Sequence, residues 1–408
     1  MMKWIKRGVL ATLALALIGG AVFWGKIQDV RALMAYAAIF EPDAIDQNFR
    51  TLHKVYPSIS IERSGPVAEF ENVQQEDIFP ATYSYDGQNL STVDLFEEFH
   101  WTGMAVLRDG KLIHQAYARG NTAETSHIEM SVTKSLTSIL VGIAHDEGDL
   151  PDLDAQVTDF VPELKGTGYD GVTVQQVLDM TSGIRYVEDY DDLDSDIVQT
   201  VVATLRGSLD EFSTTIVRQR EPGSYNQYAS IETQVLAWVL RRATGQKYAD
   251  YFRDKLWSKI GAEADAQMLV DQEGEPVAFG GANLRLRDLA RVGQMVLNGG
   301  VSMTGERVVS ESWLRQSTTT DTPQSKAGNH DKSDFVLGYK NQWWIPVDRD
   351  GNDFTAIGIY GQFLYINPGR GVVIAMNSAY PEYNEKPETE LKMVVALQAI
   401  AKYVSPDS

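Results

Sequence analysis

The sequence predicts an α+β fold in which one antiparallel sheet is built from both ends of the chain and flanked by helices. A mostly helical region is inserted between those ends. Three observations predict it. A β-hairpin reads near residue 100, strands return only after residue 340, and helical periodicity dominates between about 150 and 300. With 43% hydrophobic residues among 408, the chain has ample apolar material for a large core.

The hairpin pairs Trp101-Thr-Gly-Met-Ala-Val-Leu-Arg108 with Lys111-Leu-Ile-His-Gln-Ala-Tyr117 across Asp109-Gly110, the strongest short-range turn signal. From Ser131 to about His145 the pattern turns helical, with Leu136, Ile139, Leu140 and Ile143 on one stripe. Helices then follow at 174–180, 197–205, 231–243, 248–260 and 286–297. Strands are expected at 342–347, 355–357, 363–366 and 372–377, and a helix at 388–404 closes the chain.

The N-terminus is read separately. Lys3, Lys6 and Arg7 precede an uncharged, mostly apolar run from Gly8 to Gly25 that ends at Lys26. As a helix that run spans about 27 Å, enough to cross a hydrocarbon core with its basic flank inside. Residues 1–26 are therefore expected to be a membrane anchor. The alternative is a signal peptide cleaved near Gly19-Gly20-Ala21. Either way the body is exported, to the periplasm or beyond. Residues 27–74, partly helical with Val30, Leu33, Met34 and Ala37 at helical spacing and interrupted later by Pro57 and Pro66, are expected to be a connector, and residues 75–408 the folded body.

Composition narrows the partners. A formal net charge of −20 argues against nucleic acid, whose phosphates need a basic stripe. Having no cysteine, the chain has no disulfide and no thiolate nucleophile. Its six histidines are scattered without zinc-ligand spacing. The acidic run Glu188–Asp196 lacks the glycine-centred loop of a calcium site and is expected to be solvated. No Gly-x-Ser-x-Gly exists for a nucleophile elbow.

Three segments can carry chemistry. In Met130-Ser131-Val132-Thr133-Lys134-Ser135, a Ser and a Lys three apart at a helix start share one face. A desolvated Lys can take the hydroxyl's proton, and the helix N-terminus favours developing negative charge. Alone the pattern is common, and it equally describes a capped helix. In Pro222-Gly-Ser-Tyr-Asn-Gln-Tyr228-Ala-Ser230, a loop tyrosine can shuttle protons, while Ser230 can also cap the next helix. In Ala356-Ile357-Gly358-Ile359-Tyr360-Gly361-Gln362, strand glycines let another backbone or a ligand approach.

The order Ser-x-x-Lys, Tyr-x-Ser and glycine-bearing strand resembles the serine β-lactamase and penicillin-recognising superfamily, in its class C-like branch. Val172–Ile184, Leu240–Gln246 and Asp288–Gln294 are similar to further segments of that branch. The resemblance covers about residues 75–405 and implies a β-lactamase/transpeptidase-like fold. It implies catalytic roles for Ser131, Lys134 and Tyr228, an oxyanion hole formed by the N–H groups of Ser131 and Ile359, and no metal or cofactor. Departures bear on substrate. Ala356 and Ile357 stand where β-lactamases and penicillin-binding proteins usually carry Lys-Thr or His-Thr, so the usual carboxylate anchor is absent. Together with Ser230 and with Tyr190 in Glu188-Asp-Tyr190, this looks like the 6-aminohexanoate-dimer hydrolases and related carboxylesterases. The resemblance thus implies a serine hydrolase of a small ester or amide, with Ile359, Gly358, Tyr190 and Ser230 around the substrate. A D-Ala-D-Ala peptidase or β-lactamase, and a non-catalytic cell-envelope binding protein of the same fold, are the alternatives. One of Trp343 and Trp344 is expected to line the acyl pocket, since strand alternation turns the other inward.

Overall fold

The computed structural model describes residues 26–386 and 388–406. The expected anchor or signal at residues 1–26 therefore lies outside the described residues, save Lys26. Among the described residues no helix is long and apolar enough to cross a membrane.

In chain order the first seven strands are β1 (Ser58–Ile61), β2 (Glu71–Asn72), β3 (Thr82–Tyr85), β4 (Gln88–Ser91), β5 (Trp101–Arg108), β6 (Lys111–Tyr117) and β7 (Ser126–Ile128). They are followed by β8 (Ala266–Leu269), β9 (Ala282–Arg285), β10 (Gly338–Lys340), β11 (Trp343–Ile345), β12 (Phe354–Gly358), β13 (Gln362–Asn367) and β14 (Val372–Ser378). Eight of these form one sheet in the order β10-β11-β12-β13-β14-β5-β6-β2. Every pairing in it is antiparallel except the two-residue parallel edge of β2 on β6. The two ends of the chain thus meet where β14 pairs β5, Ala375 opposite Ala105. At the hairpin turn Asp109 and Gly110 both take positive φ, 52° and 78°, the geometry that matches strand twist.

The expected helices form between the two halves of this sheet. Val132–Glu147 and Ser230–Thr244 pack on each other, and both are buried along most of their length. Leu286–Leu297 lies on the sheet, where a Cβ on Gly293 would come within 2.5 Å of Val373 and 2.8 Å of Leu364. The inserted region is not purely helical. Its β8 and β9 join β1 and β7 in a second, four-stranded sheet of order β1-β8-β9-β7. Both strands are four residues long, too short for their alternation to stand out against helical neighbours.

The connector expected at residues 27–74 is built into the body. Residues 26–39 and Ile45–Val55 are helical, and β1 pairs β8 over four residues. Asn48 Nδ2 donates to the carbonyls of Ala38 and Ile39, at 3.0 and 2.9 Å, and Asp29 pairs with Arg206. Phe49 is fully buried and packs against Tyr360 and His127. Helical periodicity at 30–37 was legible in the sequence, but not the partner that buries it.

Candidate active site

Ser131 follows β7 and a left-handed Met130 (φ 46°), a conformation that costs a non-glycine residue energy and collects at functional sites. It occupies the N-cap position of helix Val132–Glu147 but makes no side-chain cap. Its hydroxyl instead receives a hydrogen bond from Lys134 Nζ at 2.8 Å. Lys134 is 1% exposed and also donates to the Phe279 carbonyl at 2.9 Å. The rings of Tyr228 and Phe279 lie 4.9 and 5.6 Å from the ammonium. Burial pushes the Lys134 pKa down from 10.5 to about 7, although the nearby Glu188 carboxylate pulls it up. At neutral pH a large share of Lys134 is a free amine in contact with the hydroxyl.

Tyr228 comes from a loop pinned on both sides. Asn226 N–H donates to the Lys332 carbonyl, Asn226 Nδ2 to that of Asp179 (2.8 Å), and Gln227 N–H to that of Met180 (2.9 Å). Trp344 stacks on the Tyr228 ring at 5.4 Å and 23°, with Phe335 and Tyr339 edge-on. Trp344 is therefore the wall residue of the tryptophan pair, while Trp343 packs on Phe354 in the core. Desolvation, then the Glu188 charge, hold the Tyr228 phenol well above its usual pKa; its hydrogen bond to Ser131 opposes them. Tyr228 stays protonated.

Ile359 sits in the turn between β12 and β13. Among the described residues, the N–H groups of Ser131 and Ile359 donate to no protein acceptor. Gly358 lines neither cavity at Ser131. Its role is close approach: a Cβ there would lie 2.6 Å from the Glu129 carbonyl and 3.1 Å from Met130 Cβ. Only glycine lets this strand come so near the segment that carries Ser131.

Two expectations need correction. Ser230 does not cap its helix; the N-cap is Ala229, and Ser230 is the first helical residue. Its Oγ and N–H both donate to Glu188, at 2.5 and 2.8 Å. Glu188, assigned to a solvated acidic run, is instead half-buried in the site, where Tyr190 Oη also donates to it at 2.6 Å. Sequence reasoning passed over Glu188 because the five aspartates of the same run disguise it. In the sequence only its place two residues before Tyr190 hints at it, because its partner Ser230 lies 42 residues away. Among the described residues no cluster of His, Asp or Glu could hold a metal ion.

Ser131, Tyr190 and Ile359 separate two cavities. The larger, about 680 Å³, is bordered by Tyr228 and Trp344 and by the carboxylates Glu188, Asp189, Asp191, Asp334 and Glu390. Among the described residues no lysine or arginine lines it. Ile357 faces it, while Ala356 is buried opposite Leu364. The smaller, about 130 Å³, is bordered by Ser230 and mostly apolar side chains.

Residues 94–396 match the family model described as Beta-lactamase. The chain is 36% identical over 343 residues to a 6-aminohexanoate-dimer hydrolase of Paenarthrobacter ureafaciens, covering 82% of this chain and 85% of that one. It is 25% identical over 324 residues to penicillin-binding protein 4 of Amycolatopsis lactamdurans (68% and 81%). Among solved structures, a Bacillus anthracis chain provisionally named as a 6-aminohexanoate-dimer hydrolase superposes with a TM-score of 0.78 at 22% identity, covering 90% of this chain and 96% of that one. The fold is also that of EstCE1, a hydrolase with promiscuous acyltransferase activity (TM-score 0.59, 13% identity, 76% and 96% covered).

Proposed function

The chain belongs to the beta-lactamase family and is a hydrolase of that fold; within it we propose that it cleaves a carboxylic ester or small amide through an acyl-enzyme on Ser131. The observation that carries the reading is the 2.8 Å contact between Ser131 Oγ and a buried Lys134 whose pKa is near 7. Neutral Lys134 takes the hydroxyl proton as Ser131 attacks the carbonyl. The free N–H groups of Ser131 and Ile359 receive the developing oxyanion. Tyr228, held protonated beside both residues, hands a proton to the leaving group and recovers it through Lys134. Water then attacks the acyl-enzyme with the same groups acting in reverse.

The cavity chemistry favours esters over β-lactams. A penicillin or a peptide C-terminus brings a carboxylate, and the described lining of the larger cavity offers it Glu188, three aspartates and no lysine or arginine. The 6-aminohexanoate dimer that names the Paenarthrobacter relative also ends in a carboxylate, so simple esters are the better first substrates. Ser131→Ala is expected to abolish hydrolysis of p-nitrophenyl butyrate, and the acyl adduct detected by mass spectrometry in the parent protein, while the melting temperature holds. Turnover undiminished in that variant sinks the assignment. Nitrocefin hydrolysis faster than ester hydrolysis would reverse the substrate argument.

Export is part of the same proposal, with residues 8–25 as anchor or cleaved signal. It rests on the charge pattern at residues 3–26, and recovery of the protein in the cytosolic fraction of its native host would overturn it.

A further inference from the structure

The smaller cavity reaches Ser131 but not Tyr228. Ser131, Tyr190 and Ile359 border both cavities, whereas Tyr228 borders only the larger. In the acyl-transfer reading above, the leaving atom must lie beside its proton donor, so the leaving group occupies the larger cavity. The acyl chain then has one direction left.

We infer that the smaller cavity is an acyl-chain subsite for an uncharged aliphatic acid, and that the N-terminal helix forms its wall. Among the described residues no Asp, Glu, Lys or Arg lines it. Its surface is made by side chains such as Phe40, Leu52, Leu205, Leu269 and Phe279. The hydroxyls there are turned elsewhere: Tyr56 donates to the Ala35 carbonyl (3.3 Å), Thr204 to that of Thr200 (3.0 Å) and Ser230 to Glu188. Tyr36 alone brings a buried hydroxyl without a partner, and burial keeps it protonated and neutral. A methylene chain loses nothing there, whereas an ammonium would lose its hydration and meet no carboxylate in the lining.

The wall comes from outside the stretch matched by the family model. Tyr36 and Ile39 belong to helix 26–39, and Phe40 follows it. Phe40 stacks on Tyr360 at 4.6 Å and 17°, next to Ile359. Asp29 pairs with Arg206, which ends the helix that supplies Val201 and Leu205 to the opposite side. The helix is thus fastened to both the oxyanion turn and the far wall.

This inference rests on the serine-hydrolase reading, and three p-nitrophenyl esters separate the two. With the full-length protein, kcat/KM is measured for the acetate, the hexanoate and the 6-aminohexanoate. Each buried methylene is worth roughly fourfold at most, so hexanoate is expected to exceed acetate by more than tenfold. Hexanoate is also expected to exceed 6-aminohexanoate, which has an ammonium in place of the terminal hydrogen, by more than tenfold. Leu205→Trp, from a half-buried position, and Leu269→Phe fill the cavity and are expected to bring the hexanoate-to-acetate ratio down at least fivefold, with folding checked by melting temperature. A parent ratio near one, a preference for the amino ester, or ratios unmoved in both folded variants overturns the subsite. No turnover of any ester, acetate included, overturns the serine-hydrolase reading and the subsite with it.

Discussion

Lys134→Met should make the protein more stable and inactive at once, and the stabilisation should depend on pH in a way only a buried amine produces. Lys134 has a pKa near 10.5 in the unfolded chain and about 7 in the folded one. Because the folded value is depressed, the folded state binds fewer protons. Stability therefore falls as pH drops from about 10.5 to about 7 and is flat below that. By linkage the cost is about 4 kcal/mol at pH 7 and about 2 kcal/mol at pH 9. Methionine carries no charge and fills similar space, so it removes that cost. It also removes the donor to the Phe279 carbonyl, and a buried carbonyl left unpaired costs about 1–3 kcal/mol. The net expectation is a variant about 1–3 kcal/mol more stable at pH 7, with the advantage gone between pH 9 and 10. Paired urea melts of parent and variant across pH 6–10 read this directly, and ester hydrolysis should fall by about a thousandfold or more. A stability difference that does not change with pH would refute the reasoning, because a packing effect alone has no reason to titrate.

Other outcomes follow from the same geometry. The logarithm of kcat/KM should rise with pH and level off above an apparent pKa near 7, as Lys134 loses its proton. Glu188→Gln should move that inflection to lower pH, since Glu188 raises the Lys134 pKa; a stopped-flow or plate-reader pH profile checks both. Tyr228→Phe should keep the fold but lower kcat by about a hundredfold or more, and the loss should shrink for esters with good leaving groups that need no proton. Gly358→Ala should cost about 1–3 kcal/mol, because its Cβ would press to 2.6 Å from the Glu129 carbonyl. It should also depress kcat by shifting Ile359, so kcat and the melting temperature are measured together.

Much of the fold was legible because its elements carry strong local signals. The Asp109-Gly110 turn, the apolar stripe after Ser131 and the run from Val372 each announce their own geometry, and helix Leu286–Leu297 falls where its period puts it. The short strands β8 and β9 were not legible, since four residues hold too few alternations to outweigh their helical surroundings. In the site, Ser131, Lys134 and Tyr228 stood out by motif order and spacing, and Ile359 through the family resemblance. Glu188 could not, because its importance lies in three hydrogen bonds from Ser230 and Tyr190, and only the fold brings Ser230 across to it from 42 residues away. The period of helix 26–39 was legible but its seating was not, for a related reason: periodicity reveals an apolar face but not what will cover it.

The seating of that helix bears on how separable the parts of this chain are. A protein begun at residue 75, where sequence alone suggests a boundary, would lose β1 from the second sheet and leave β8 with a bare edge. It would also uncover Ile128 and Tyr360, which the two N-terminal helices now bury. The segment at residues 26–61 and the Ser131 site share one packed body, so exchanging that segment between relatives is expected to alter the acyl preference assigned above to the smaller cavity.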